Sequence, residues 1–316
     1  MQAIASEVIR ALRGRRSQLA FSRRLKYRSN VVADWEQGRR FPKAAEFLRA
    51  AELVGVDLQR AFLRFHAASA PALGVADDDG VARWLDELRG QSSLQDLAAR
   101  SGVSRHALGR WLSGQTRPRL PDFLHLVDVL TGRVQDLIAE LVDVREVPAL
   151  SERVERAAAS RKVGLEEPWA LPVLLAIETR GYQALEAHDS AWLARFLGLP
   201  EPRVQACVSR LEEAGVIRLR GGHFVSGQPL TIDTRAHPEA GRSLKRHWLM
   251  VGMDRVGQPR EGDILSYNLF SVSRADLDQI RLLQRSFFRE VRGIVAASEP
   301  SESVALLNLQ LVTWEE

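Results

Sequence analysis

Apolar residues between positions 94 and 114 recur at the spacing of two short α-helices that meet at a tight turn. The inward-facing positions are Leu94, Leu97 and Ala98 on the first helix and Leu108, Trp111 and Leu112 on the second. Gly102 suits a left-handed residue that closes the first helix, Val103 would bury the turn, and Ser104 is a favourable N-cap for the second helix, which ends at Gly114. The pattern predicts two helices joined by a turn, the second with a polar outer face.

The same pattern occurs 76 residues earlier in the chain. Without a gap, FSRRLKYRSNVVADWEQGRRFP (21–42) aligns with LAARSGVSRHALGRWLSGQTRP (97–118). Trp35 falls on Trp111, Gly38 on Gly114 and Pro42 on Pro118, and both tryptophans are expected in the core. Each copy continues into two further predicted helices, KAAEFLRAAELVG and DLQRAFLRFH in the first and PDFLHLVDVL and VQDLIAELV in the second. We therefore predict a mainly α-helical protein with two tandem five-helix domains, 1–66 and 81–146, joined by a linker at 67–80.

The two copies differ at the turn between the second and third helices. Ser17 is the expected cap of the second helix in the first copy, and the third helix is expected over about 29–37. Lys26 stands where the second copy has Gly102. A left-handed lysine costs roughly 1 kcal/mol relative to glycine, so strain is expected at that turn.

Both copies resemble the five-helix domain of phage-repressor-type (Xre-like) helix-turn-helix regulators, over about residues 5–66 and 80–143. The matching features are an apolar-small pair (Phe21-Ser22 and Leu97-Ala98), the turn, the tryptophan and the spacing Gly-x-x-x-Pro. In that family the third helix enters the major groove of double-stranded DNA, and its exposed N-terminal part reads base edges. The resemblance implies double-stranded DNA as a partner.

The resemblance also implies which residues contact DNA. Base reading falls to Gln18, Arg28, Ser29, Asn30 and Ala33 in the first copy, and to Arg105, His106, Gly109 and Arg110 in the second. Phosphate contacts fall to Arg15, Arg16, Arg39, Arg40, Lys43, Arg117 and Arg119. In the second copy Leu94 replaces the family's polar residue, and the approach at Asp77–Asp79 is acidic. That copy is therefore expected either to bind DNA or to be a degenerate copy kept for packing or dimerisation.

A third helix pair is predicted at 190–225, within a domain placed at 147–227. Trp192, Leu193, Phe196 and Leu197 form one stripe, Val204, Val208 and Leu211 form another, and VIRLRGGHFV reads as a hairpin around Gly221-Gly222. This order resembles a winged helix. Arg203, Gln205, Ala206, Ser209, Arg218 and Arg220 would then be its DNA contacts, although winged helices also serve as dimer or packing modules. Cys207 lies in the apolar stripe and is expected to be buried.

The last part, 228–316, is predicted to be a small α/β domain. RSLKRHWLMVGMDRV reads as a helix, DILSYNLFSVS and SVALLNLQLVTW alternate as strands do, and a long amphipathic helix lies between those strands. Strand, helix and strand predict a parallel pair with a right-handed crossover. Residues 85–316 resemble a little-characterised family of bacterial regulators with a C-terminal domain of unknown function. We expect 228–316 to serve dimerisation or to bind an effector or protein partner.

Charge concentrates in the first copy. The chain of 316 residues has a net charge of +4, yet residues 1–66 hold 14 Lys and Arg against 6 Asp and Glu, whereas residues 67–147 hold 9 against 12. A local basic excess of this kind is typical of a polyanion-binding surface. With one cysteine, no apolar run of membrane length and no signal peptide, we expect a cytoplasmic, nucleoid-associated protein without a membrane partner.

Catalytic patterns are missing from the sequence. No histidines have metal-ligand spacing with a third ligand, Gly221-Gly222 is not followed by the residues of a phosphate loop, and no nucleophile elbow occurs. We expect no enzyme, metal or cofactor. The sequence favours a transcription regulator that binds operator DNA as a homodimer. The alternatives are a protein-interaction adaptor, or an antitoxin or phage-type repressor.

Overall fold

The computed structural model describes residues 1–66, 77–90, 92–227, 230 and 238–314. Helices form most of the described chain, which contains one two-stranded sheet, so the mainly helical class is confirmed. The chain divides into two compact units, Met1–Glu155 with Gly293–Ala297, and Arg156–Arg292 with Ser298–Glu316. No described helix is both long enough and apolar enough to span a bilayer.

The first unit contains two sets of five helices. They are α1 (Gln2–Arg13), α2 (Gln18–Arg24), α3 (Val31–Glu36), α4 (Ala44–Leu53) and α5 (Leu58–Phe65), then α6 (Asp78–Arg89), α7 (Leu94–Ser101), α8 (Arg105–Leu112), α9 (Leu120–Thr131) and α10 (Val134–Leu141). Four of the five helices in the second set begin 76 residues after their counterparts, which matches the repeat in the sequence. The predicted linker lies largely outside the described residues, and Asp78–Gly80 form the first turn of α6.

Serine caps set the start of the corresponding helices. Ser17 Oγ accepts a hydrogen bond from the Ala20 amide at 3.2 Å, and its counterpart Ser93 accepts one from the Asp96 amide at 3.1 Å. Ser104 caps α8 in the same way. These bonds satisfy amide donors that the first helical turn leaves without a partner, and each is typically worth about 1 kcal/mol.

The predicted left-handed turn is present in both copies. Lys26 has φ 66° and Gly102 has φ 67°, and Lys26 is the one residue other than glycine with positive φ in the described chain. A Cβ atom built on Gly102 meets nothing within 4 Å, so steric contact with neighbouring residues does not distinguish the two positions. The difference is the backbone strain that a lysine side chain adds in this conformation.

This pair of turns gives a reciprocal stability test. Lys26→Gly is expected to raise the free energy of unfolding of the first unit by up to about 1 kcal/mol, and Gly102→Lys is expected to lower it by about the same amount. Urea unfolding of the full chain, followed by tryptophan fluorescence, measures both changes. Equal effects of the two substitutions in the same direction would contradict the explanation.

One hydrophobic core runs through both helix sets. Trp84 of α6 is fully buried, with its ring centroid 4.6 Å from that of Phe62 in α5 and 5.7 Å from that of Phe123 in α9. Trp35 is buried as expected, whereas Trp111 is only partly buried against the same core. The two copies therefore share their apolar interior.

The second unit has a small core of helices and a hairpin. Its helices are α11 (Ser151–Glu166, which begins in the first unit), α12 (Ala170–Ile177), α13 (Arg180–Gln183), α14 (Ser190–Leu197) and α15 (Glu201–Glu213). Strands β1 (Ile217–Arg220) and β2 (His223–Ser226) pair antiparallel around Gly221 and Gly222, as the sequence predicted. Helices α12, α14 and α15 pack on one another, and β1 and β2 pack on α15 and α12 respectively.

The α/β prediction for 228–316 is wrong in the described residues. Helices α16 (Pro238–Gly257) and α17 (Arg274–Ala297) form where helices were expected, but 263–273 and 303–314 contain no strand, so the parallel pair is absent. Alternation makes a strand only where a neighbour supplies hydrogen bonds and apolar cover. Here that cover is missing, since Ile264, Tyr267 and Trp314 are 91%, 91% and 83% exposed. The apolar face of α17 is open too, at Leu283 and Ile294 for example.

Candidate nucleic-acid interface

Three predicted base-reading residues directly precede α3, which begins at Val31, two residues later than expected. Arg28, Ser29 and Asn30 are exposed, whereas the following Val31 and Val32 are buried in the core. The helix is thereby anchored along one side while its polar N-terminal end faces solvent. Ala33, one turn further on, is half-buried.

A buried serine fixes this end of α3. Ser22 Oγ accepts a hydrogen bond from the Val32 amide at 3.1 Å and donates one to Asn30 Oδ1 at 3.2 Å. Ser22 is the small residue of the apolar-small pair, so that sequence feature has a specific role in this copy. It holds Asn30 in place at the start of the helix.

The predicted phosphate-binding cations of the first copy lie in the segments before α2 and after α3. Arg15, Arg16, Arg40 and Lys43 are all exposed. Within the described chain, no acidic side chain forms an ion pair with Arg15, Arg28, Arg40 or Lys43. Arg39 differs, because its Nε donates to Asp34 Oδ1 at 2.9 Å. The segments that precede α2, precede α3 and follow α3 therefore each carry an exposed cation without an acidic partner among the described residues.

Behind the exposed face lies a buried ionic network that the sequence did not predict. Glu36 has a side chain only 3% exposed and accepts hydrogen bonds from Arg13 Nε at 2.5 Å and from Gln18 Nε2 at 2.8 Å. Arg10 approaches the same carboxylate at 3.8 Å. Gln18, predicted to read bases, is therefore half-buried and donates to Glu36. The network joins α1, α2 and the end of α3.

The second copy replaces this network with apolar contacts. Glu36 corresponds to Leu112 and Gln18 to Leu94, and Arg10 corresponds to an aspartate, Asp86. Asp86 accepts hydrogen bonds from Arg89, the counterpart of Arg13, at 2.9 Å and 2.7 Å. Gln18 and Glu36 are both replaced by leucine in the second copy, and this paired replacement could have indicated from the sequence that the two residues are in contact.

The predicted contacts of the second copy separate into two groups. Arg105, His106 and Arg110 are exposed on α8, and Gly109 is half-buried beside Leu94. The two predicted phosphate ligands are engaged elsewhere. Arg117 pairs with Asp78, and Arg119 Nη1 donates to the Phe41 carbonyl at 2.5 Å. The first copy therefore offers more unpaired cations than the second.

In the second unit the predicted contacts lie on α15 and β1. Arg203 pairs with Glu167 at 3.2 Å, and Gln205 donates to Glu201 at 3.0 Å. Ala206, Ser209, Arg218 and Arg220 are exposed. Cys207 is buried as expected, and burial raises the pKa of its thiol to about 12, so it remains protonated at neutral pH.

A polar cluster supports the hairpin from within the same unit. The fully buried Tyr182 accepts a hydrogen bond from the Phe224 amide at 3.2 Å, and its hydroxyl lies 2.9 Å from His188 Nδ1. His188 Nε2 lies 2.9 Å from Ser190 Oγ. The consistent assignment is that Tyr182 donates to Nδ1 and Nε2–H donates to Ser190. With a neutral His188, each of these hydrogen bonds has one donor and one acceptor. A second proton, on Nδ1, would face the hydroxyl proton of Tyr182 and leave that hydrogen bond without an acceptor.

Acid is expected to destabilise the second unit through His188. Burial lowers the pKa of His188 below its usual value of 6.5, against the opposing effect of Asp189 and Glu212. Because the unfolded chain binds the proton more readily, this contribution is complete above pH 6.5 and is lost as pH falls through 6.5 towards the folded-state pKa. The melting temperature should drop between pH 8 and pH 5.5.

The matched variants are His188→Gln, and His106→Gln in the other unit. The drop in melting temperature between pH 8 and pH 5.5 should be smaller in His188→Gln than in the unmodified chain. In His106→Gln it should be the same as in the unmodified chain. A residual drop is expected in His188→Gln, because burial also lowers the pKa of His247. An identical pH dependence in all three proteins would contradict the role given to His188.

Comparison with known proteins identifies one family. Residues 151–313 match a domain of unknown function, DUF4423. No curated protein and no solved structure matches the chain. In the described residues, no group of three or more His, Cys, Asp or Glu could hold a metal ion. Since the match spans more than half of the 316 residues, the chain belongs to the DUF4423 family.

Proposed function

We propose that this protein is a sequence-specific transcription regulator that binds double-stranded DNA. Helices α2 and α3, and α7 and α8, act as two helix-turn-helix elements, with α3 and α8 entering the major groove. Both pairs consist of a short helix, a turn closed by a left-handed residue, and a second helix with exposed polar residues directly before it or in its first turn. This arrangement supports the resemblance to phage-repressor-type domains.

The observation that carries the proposal is the charge around α3. Arg28, Ser29 and Asn30 offer hydrogen-bond donors to base edges, and Arg15, Arg40 and Lys43 lie exposed and without acidic partners among the described residues. Surface arginines in this chain are often paired, as Arg89, Arg117 and Arg145 are. Exposed positive charge that has no acidic partner favours a polyanionic partner.

Different residues read the bases and position the protein on the DNA backbone. Arg28 and Asn30 are the expected sources of sequence preference, since arginine pairs with guanine and asparagine with adenine in the major groove. Arg15, Arg16, Arg40 and Lys43 supply salt-dependent affinity through phosphates. Gln18 helps to hold α3 through Glu36, and Arg39 can bind phosphate after leaving Asp34.

The second unit contributes a winged-helix element in this proposal. Helices α14 and α15 followed by the β1–β2 hairpin have the expected order, and the exposed Arg218 and Arg220 lie on β1. These two arginines are its contacts to phosphate, because Arg203 and Gln205 already have partners. Homodimerisation or effector binding by 228–316 stays a prediction.

Selection of DNA from fragments of the source genome tests the proposal. The full chain is expected to retain fragments with a shared sequence motif and to protect that motif from cleavage. Exposed-charge variants outside the candidate interface, Arg60→Ala and Arg83→Ala, should select the same motif. Recovery of fragments without any shared motif, or no protection at all, would contradict sequence-specific binding.

A further inference from the structure

The two copies in the first unit contact each other through segments that occupy equivalent positions in the repeat. The Ala44 amide donates to the Pro118 carbonyl at 3.0 Å, and the Leu120 amide donates to the Pro42 carbonyl at 2.9 Å. Between them Lys43 and Arg119 form an antiparallel bridge. Lys43 and Arg119 are one repeat, or 76 positions, apart, and the two hydrogen bonds are equivalent because Leu120 is the counterpart of Ala44 and Pro118 that of Pro42. The loop after α3 therefore pairs with the loop after α8.

Helix contacts between the copies are reciprocal as well. Helix α5 packs on its counterpart α10, and α4 packs on its counterpart α9. Helix α1 contacts α9, and the counterpart of α1, which is α6, contacts the counterpart of α9, which is α4. Arg64 and Glu140, also one repeat apart, form an ion pair at 3.6 Å. Contacts of a position with its own counterpart characterise a two-fold interface, whereas a head-to-tail repeat would join different positions.

Equivalent hydrogen bonds also form within each copy, so the approximate two-fold axis relates two similar structures. Arg24 donates to the Leu53 carbonyl at 2.6 Å, and its counterpart Arg100 donates to the Val129 carbonyl. Those acceptors too are one repeat apart. The same axis that relates α4 to α9 must therefore relate α3 to α8.

The loops limit how far apart α3 and α8 can be. Seven residue steps lead from Glu36 at the end of α3 to Lys43 beside the axis, and they span at most about 25 Å. Adding half the length of α3 puts its centre within about 30 Å of the axis, and the centres of α3 and α8 within about 60 Å of each other. Half-sites one DNA turn apart, about 34 Å, satisfy this limit, and half-sites two turns apart do not.

We propose that a single chain reads two adjacent half-sites of an imperfect inverted repeat, with the second copy occupying the place of a second subunit. This inference rests on the proposed DNA-binding function. The half-sites differ because Arg28, Ser29 and Asn30 of the first copy correspond to Ser104, Arg105 and His106 of the second. Their centres lie about 10 base pairs apart on one face of the duplex.

The second half-site contributes to affinity because α3 and α8 belong to one chain. Once α3 has bound, α8 stands beside its own half-site at a high effective concentration, and no second chain has to associate. Binding by the second copy, which lacks the basic excess of the first, is then intramolecular. The paired Arg117 and Arg119 do not prevent this, since Arg105, His106 and Arg110 remain exposed on α8.

The test uses the full chain and duplexes selected from a random library. The expected motif has two unlike half-sites whose centres are 10–11 base pairs apart. Arg28→Ala should relax base preference in one half-site only, and Arg105→Ala in the other. Inserting five base pairs between the half-sites turns one to the opposite face and should weaken binding on the order of a hundredfold. Arg60→Ala serves as the matched control and should change neither half-site.

Three results would overturn the inference. A motif with one half-site, or unchanged affinity after the insertion, would leave α8 without a role in recognition. Relaxation of both half-sites by Arg28→Ala, with none from Arg105→Ala, would mean that two chains each present α3. All three leave the DNA-binding regulator intact, whereas failure to select any sequence overturns that function as well.

Discussion

Replacing Glu36 with alanine is expected to lower the free energy of unfolding of the first unit by about 3–5 kcal/mol. The Glu36 carboxylate is almost fully buried and accepts hydrogen bonds from Arg13 and Gln18. Its removal leaves Arg13, whose side chain is 16% exposed, without its carboxylate partner. An uncompensated and largely buried charge is far more costly than the loss of a surface ion pair.

The second copy provides the matched controls for this prediction. Asp86→Ala breaks the exposed pair with Arg89 and should cost at most about 1 kcal/mol. The triple change Arg10→Asp, Gln18→Leu and Glu36→Leu gives the first copy the residues of the second, and it should recover most of the stability lost in Glu36→Ala. Urea unfolding monitored by circular dichroism measures all three. A loss below about 1 kcal/mol in Glu36→Ala would contradict the structural role of the network.

Replacing Arg39 and Arg40 together with alanine is expected to weaken binding to a selected duplex on the order of a hundredfold. Two charge-assisted hydrogen bonds to phosphate at about 1.5 kcal/mol each give this figure. The loss should be similar for matched and mismatched duplexes, because phosphate contacts carry no base information. Of the single variants, Arg40→Ala should have the larger effect, since Arg39 must first leave Asp34.

Titration of fluorescent duplexes with each variant measures this effect. Arg60→Ala and Arg83→Ala, exposed arginines on α5 and α6, are the matched controls and should bind like the unmodified chain. Equal weakening in the controls would mean that the effect reflects only net charge. Unchanged binding in the double variant would place the DNA-binding surface elsewhere.

Local features of the fold could be predicted from the sequence because each depends on neighbouring residues. The caps at Ser17 and Ser104 and the turn at Gly221-Gly222 follow from backbone chemistry within a few positions. The strained Lys26 was predictable too, since its aligned partner is a glycine. Arg28, Ser29 and Asn30 are exposed as expected, but they precede α3 because the helix begins at Val31.

Contacts between distant segments could not be predicted in this way. Nothing local to Lys43 indicates that it pairs with Arg119, because that bridge depends on how two whole helix sets dock. The partner of Glu36 was missed for a related reason, since a charged residue at the end of a short helix is normally exposed. At 263–273 the alternating pattern described a strand, but no neighbouring strand exists in the described residues to complete a sheet.

The salt dependence of binding tests the central claim most directly. The full chain should bind a selected duplex with an association constant that falls steeply as salt rises. Phosphate contacts by Arg15, Arg16, Arg39, Arg40 and Lys43 alone give a slope of about −4.5 for the logarithm of the constant against the logarithm of salt concentration. The Arg39 and Arg40 double variant should reduce the slope by about two. A slope near zero, unchanged in that variant, would contradict DNA binding through this surface and favour an adaptor that binds proteins.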